Sequence, residues 1–127
     1  MQKMNFSILL FLLFLLLLSC TSPERNCKDF KTGTFTFETL LDGELITTRF
    51  ERNDTLEVDF FNEKIDSSSI RWINNCEYIA KKINPKSISE QKALHFKILS
   101  TEDNYYTFEY SLVGESLKRK GTAQKIQ

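Results

Sequence analysis

The sequence predicts an all-β protein: an antiparallel meander of about seven strands, curled into a small β-barrel that is either closed or left incomplete, and preceded by a signal-peptide helix. Three observations carry this. From Phe30 onward, apolar and polar residues alternate with period two, the pattern of strands that bury one face. Turn-forming pairs, Asp42-Gly43, Asn53-Asp54 and Gly114-Glu115, punctuate the alternation at hairpin spacing. The whole chain has only four Gly and two Pro and no long helical stripe, so a sheet with one apolar face has little to close on except itself.

The first element is a leader. Met1-Gln-Lys-Met-Asn carries one positive charge at Lys3 and is followed by the apolar run Phe6–Leu18, the layout of a secretory signal. The run is too short for a spanning helix, which takes about 20 residues at ~1.5 Å rise each. It ends in Leu17-Leu18-Ser19-Cys20, which resembles the bacterial lipobox, where a small residue precedes a cysteine that receives a diacylglycerol. The resemblance implies that residues 1–19 are removed and that Cys20 becomes a lipidated first residue. Acyl chains add ~0.8 kcal/mol per buried methylene, so several chains on one cysteine hold a protein on a membrane durably. The alternatives at this position are an ordinary secretory signal and an uncleaved anchor. The expected address is the bacterial cell envelope, on the outer membrane facing the periplasm, with Thr21 after the cysteine favouring export from the inner membrane.

Residues 20–26 form a polar tether containing Pro23, and residues 27–127 leave roughly a hundred residues for one domain. Basic and acidic residues balance at 17 each, so no field for a polyanion follows and nucleic acid is not expected as a partner. With Cys20 acylated, Cys27 and Cys76 remain in an oxidising compartment, where they form either a disulfide or two separate buried thiols. One histidine in the chain gives little basis for a metal site, and no cofactor is expected.

The strands follow in order. Phe35 and Phe37 share one face before Asp42-Gly43. Glu44–Arg52 sets Ile46, Thr48 and Phe50 against Thr47, Arg49 and Glu51. In Thr55–Phe61, Leu56, Val58 and Phe60 are expected inward, with Glu57 and Asp59 outward. Asn62–Ser69 reads as a polar loop. In the next segment Ile70, Trp72, Asn74, Cys76 and Tyr78 share a face if extended, which aims Cys76 toward the start of the first strand; Cys76, Ile79, Ala80 and Ile83 also fit a short helix. Asn84–Gln91 is the longest loop. Leu94, Phe96 and Ile98 then point in, with His95 and Lys97 out, and Tyr106, Phe108, Tyr110 and Leu112 share a face of the sixth strand. Residues 116–127 make a weak last strand or a basic tail.

Three stretches together resemble a family of small envelope lipoproteins of Bacteroidota: the lipobox, Cys27-Lys-Asp-Phe30-Lys-Thr-Gly33-Thr-Phe35, and Trp72-Ile-Asn-Asn-Cys76-Glu-Tyr78. Members of that family often carry a topoisomerase label. Such an enzyme needs a nucleophilic Tyr in a large DNA-binding scaffold and a cytoplasmic address, which the secretion signal contradicts. The resemblance implies no activity and no site residues.

The candidate chemistry is correspondingly plain. His95, on which any Ser/His/Asp or Cys/His arrangement would depend, is expected on the solvent face. Glu57 with Asp59, or Glu102 with Asp103, has the pairing glycoside hydrolysis uses, although polar strand faces and turns account for both. The aromatic set Phe50, Phe60, Trp72, Tyr78, Phe96, Tyr106, Phe108 and Tyr110 either fills a barrel or lines a pocket with hydroxyl and indole N–H groups as polar handles. Lys118-Arg119-Lys120 with Lys125 could meet anionic headgroups or serve as a solvated edge. Asp54-Thr55-Leu56 resembles a three-residue O-glycosylation acceptor, which makes Thr55 a candidate modification site. The expected function is a non-enzymatic, lipid-anchored module that binds a small apolar ligand or an envelope protein. The alternative is an inhibitor or immunity-type lipoprotein acting through Asn62–Ser69 and Asn84–Gln91.

Overall fold

A computed structural model describes residues 8, 10, 11, 13 and 20–127. The expected signal-peptide helix falls outside the described residues except at those four helical positions. The body is an antiparallel meander: β1 (Gly33–Leu41), β2 (Glu44–Arg52), β3 (Leu56–Phe61), β4 (Lys64–Trp72), β5 (Glu77–Lys82), β6 (Leu94–Glu102), β7 (Tyr105–Leu112) and β8 (Arg119–Lys125). Each strand pairs with the next, and β8 returns to β1 through Phe35–Lys125, Thr36–Gln124 and Phe37–Ala123, which closes the barrel. Eight strands is the size at which an interior can be filled by side chains or can hold one small ligand.

The strand count exceeds the expected seven because Asn62–Ser69 is not a loop. Asn62 and Glu63, at φ 44° and 62°, make a tight hairpin turn of the left-handed kind that matches strand twist, and Lys64 already starts β4. The serines that suggest a loop lie in mid-strand, and Ser68 is buried opposite Glu57. The extended segment through Tyr78 is also broken: Ile73–Cys76 turns the chain, and Glu77–Lys82 is strand rather than helix. There Asn74 Oδ1 accepts from the Cys76 N–H at 2.8 Å, a local side-chain bond that favours a turn.

β3 is inverted relative to expectation. Residues directly opposite in an antiparallel pair share a face, and buried Arg52 stands opposite Glu57 while buried Phe50 stands opposite Asp59. Glu57 and Asp59 therefore face in, and Leu56, Val58 and Phe60 face out.

The two ends of the barrel differ. At the base, the 3-10 turn Cys27–Phe30 crosses the opening with Cys27 and Phe30 buried, and a disulfide joins Cys27 to Cys76 with Cα atoms 5.1 Å apart. The preceding chain is pinned to the end of β6: the Thr101 N–H donates to Glu24 O and the Asn26 N–H to Thr101 Oγ1, both at 2.8 Å. The opposite end, the mouth, is framed by the β1–β2, β3–β4, β5–β6 and β7–β8 connections and has no comparable plug among the described residues.

Candidate functional site: an aromatic cup with interior carboxylates

The interior is layered. Closest to the base, the Arg52 guanidinium donates to Phe30 O at 2.6 Å and Lys31 O at 3.1 Å, tying the wall to the 3-10 turn. It also donates to Glu57 Oε2 at 2.9 Å and to the Tyr78 hydroxyl at 2.8 Å, with Tyr106 Oη at 3.4 Å. The rings of Phe35 and Tyr78 flank it at 4.8 and 4.9 Å. Burial pulls the Arg52 guanidinium down, but Tyr78, Tyr106 and Glu57 outweigh it and hold it above its ordinary value, fully protonated. Burial pushes the Glu57 carboxyl up from its usual range against the pull of Arg52.

Above this layer is a chamber of about 180 Å³ lined by Phe37, Thr48, Phe50, Glu57, Asp59, Tyr78, Phe96, Tyr106, Phe108 and Tyr110. A second space of about 270 Å³ adjoins it toward the mouth; it shares Glu57, Asp59 and Phe96 and adds Ser68, Ala80, Lys82, Glu90, Lys92, Leu94 and Leu112 among its walls. Tyr78, Phe96 and Tyr110 are successive cross-strand partners on β5, β6 and β7, and their rings stack at 4.9 and 5.6 Å into one flat wall. Phe37 and Phe108 close another side at 5.6 Å. Gly121 makes that packing possible, since a Cβ there would lie 2.6 Å from Phe37 Cε2 and 2.8 Å from Phe108 Cζ.

The charged groups lining the cup are Glu57, Asp59 and Glu90 on one side of the balance and Lys82 and Lys92 on the other. Asp59 has no hydrogen-bond or ion-pair partner among the described residues, and burial, with Glu57 and Asp66 nearby, raises its carboxyl to about 7. Lys82 is engaged by Asp66 at 3.4 Å and Glu90 at 3.1 Å. Among the described residues no group of His, Cys, Asp and Glu is arranged to hold a metal ion.

Six of the eight aromatic candidates meet in the chamber: Phe50, Tyr78, Phe96, Tyr106, Phe108 and Tyr110. Phe60 does not; it lies outside under the Arg49 guanidinium at 4.9 Å, because β3 is turned the other way. Trp72 faces in but sits at the base, 4.7 Å from Tyr78 and with Lys31 over its ring at 4.8 Å, outside the chamber lining. His95 is on the outer wall, bonded to Glu77 at 3.1 Å. Lys118, Arg119 and Lys120 lie toward the mouth, whereas Lys125 lies at the base and donates to Asp29 O at 2.6 Å, so the four do not form one basic patch. Thr55 is exposed in the basal turn and bonds to Asn53 Oδ1 through its N–H at 3.0 Å. Cys20 is exposed with a free thiol.

Sequence reading missed Arg52, Glu57 and Asp59 as interior groups. The signal was present: Arg52 continues the inward series Ile46, Thr48, Phe50, and a hairpin through Asn53-Asp54 sets Glu57 across from it. The site defines a class, a small antiparallel barrel stoppered at one end with an aromatic, acid-bearing cup at the other. Compared with models of protein families, with curated proteins and with solved structures, the chain matches none.

Proposed function

We propose that this protein is a non-catalytic binding module of the bacterial envelope, tethered by lipid on Cys20, which holds a small ligand in its cup. The observation that carries the reading is the unfilled interior. A barrel of this size can pack its centre solid, yet this one leaves a chamber walled by aromatic rings with carboxylates set into it, the mixture of broad apolar surface and few polar groups that small-ligand sites have. The lipobox-like Ser19-Cys20 and the family resemblance support the envelope address.

A second reading has its own support. Large apolar side chains stand exposed on the mouth connections: Leu40, Leu41 and Leu45 on the β1–β2 hairpin, Ile88 on the β5–β6 connection, and Val113 and Leu117 between β7 and β8. An apolar rim of this kind suits a protein partner seated over the mouth, as an inhibitor or immunity-type protein requires. The β5–β6 connection takes part in that rim; Asn62–Ser69 contributes no loop beyond its two-residue turn.

Purification of the native lipidated protein, with mass spectrometry of the co-purifying small molecules and proteins, tests both. A small molecule retained by the wild type and lost from Phe96→Ala supports the cup. A stoichiometric protein lost on Leu40→Asp and Ile88→Asp supports the rim instead, and an empty preparation in both fractions contradicts both.

A further inference from the structure

We infer that the ligand of the cup is a small organic cation, an ammonium or amine borne on an apolar or aromatic body. This rests on the binding reading above and specifies its chemistry. Two carboxylates two residues apart on β3 line both the chamber and the space above it. One oxygen of Glu57 is taken by Arg52, and Asp59 has no partner among the described residues. Both lysines toward the mouth are already engaged, Lys82 by Asp66 and Glu90 and Lys92 by Glu115 at 3.1 Å. The cup therefore offers a guest unmatched negative charge at one wall and the faces of Tyr78, Phe96 and Tyr110 at another. A cation gains from both, since a carboxylate pairs with its charge and ring faces attract it. An anion would lie against Glu57 and Asp59, and a neutral guest would leave the Asp59 charge desolvated with nothing to answer it. A chamber of about 180 Å³ has room for a ring and a short chain, given that a ~150 Å³ apolar cavity binds benzene.

Charge at Asp59 also makes the preference depend on pH. The charged and titratable groups around it are Glu57 on its own strand, Arg52 on β2, Asp66 on β4, Tyr78 and Lys82 on β5, Glu90 and Lys92 on the β5–β6 connection, and Tyr106 and Tyr110 on β7. Its carboxyl titrates at about 7, so the attraction for a cation is developed at pH 8 and withdrawn by pH 6.

The test uses three probes of one shape: 2-phenylethylammonium, neutral 2-phenylethanol and anionic 3-phenylpropanoate. Each is titrated calorimetrically into the full-length protein in zwitterionic nanodiscs, with empty nanodiscs subtracted. The expected result at pH 8 is a cation bound about tenfold or more tightly than either isostere, with that margin falling severalfold at pH 6. Asp59→Asn, with a melting curve showing that it folds, is expected to remove the margin, so that the ammonium and the alcohol bind within about twofold of one another. If Asp59→Asn does not fold, the pH dependence of the wild type decides. Alcohol or anion binding as tightly as the cation overturns the cation assignment and leaves the cup a binding site. Failure of all three to bind overturns this inference and counts against the cup.

Discussion

Arg52 and Glu57 stand directly across from one another in the β2–β3 pairing and meet inside the barrel at 2.9 Å, both almost wholly buried. The pair joins three parts of the molecule that are distant in sequence, because the same guanidinium also holds the carbonyls of Phe30 and Lys31 and the hydroxyl of Tyr78.

Removing one partner leaves the other charged and unpaired in the interior. Arg52→Met is expected to cost about 3–5 kcal/mol, measured by denaturant unfolding. The double variant Arg52→Met/Glu57→Gln is expected to recover a substantial part of that loss. Additive costs would show that the pair is not coupled.

Asp59 predicts a particular pH dependence. Its carboxyl is about 7 in the fold, above the ~3.9 of an unfolded Asp, so between these values the folded state holds a proton that the unfolded state has released. Stability from this group is full below pH ~4, is lost as pH rises toward 7, and is level above that. The difference between wild type and Asp59→Asn should therefore change by on the order of 2 kcal/mol from pH 5 to pH 8, with the variant relatively more stable at the higher pH. A constant difference would place Asp59 in solvent.

The Cys27–Cys76 bridge spans 49 residues and fastens the stopper to the β4–β5 turn. Its removal by Cys27→Ser/Cys76→Ser should cost about 2–4 kcal/mol on unfolding. Hydrogen exchange should rise first at Cys27–Phe30, ahead of the β6–β7 ladder, and uniform exchange would show that the bridge does not act through the stopper.

Gly121 sits where two rings crowd the wall. Gly121→Val should cost about 1–3 kcal/mol by overpacking and shift the ring resonances of Phe37 and Phe108. An unchanged melting temperature would mean that the rings have room to retreat.

Cys20→Ala should abolish incorporation of labelled palmitate and move the protein from the membrane to the soluble fraction. Equal labelling of the variant would remove the lipid tether from the proposal.

Most of the scaffold was legible in the chain because alternation is a direct consequence of the pleat. Leu94, Phe96 and Ile98 point inward, His95 points outward, and the weak segment near the C-terminus supplies β8 at Arg119–Lys125. The failures share one cause. Reading the more apolar face as the buried one assumes an apolar interior, whereas here a polar layer sits inside. That assumption sends Glu57, Asp59 and Ser68 to solvent or loop and Phe60 to the core, the reverse of where the register sets them. In β3 the register imposed by Arg52 overrides hydrophobic contrast, and the alternation of a single strand does not contain that information. Trp72 shares the inward face as the alternation implies, but the turn at Ile73–Cys76 brings it to the foot of the barrel, outside the chamber for which it is a candidate.

The even number of strands brings both termini of the domain out on one side. Glu24 and Asn26 bond to Thr101, and the Thr34 N–H donates to Gln127 O at 2.9 Å, all at the stoppered end. The residues that follow Cys20 and the β1–β8 seam thus share the foot, while the four connections at the other end are free of both. The barrel is a fixed stand with an interchangeable head: residues can be exchanged or inserted around the opening without loosening the stopper or the seam, and a label fused after Gln127 would report from beside the foot rather than from above the cup.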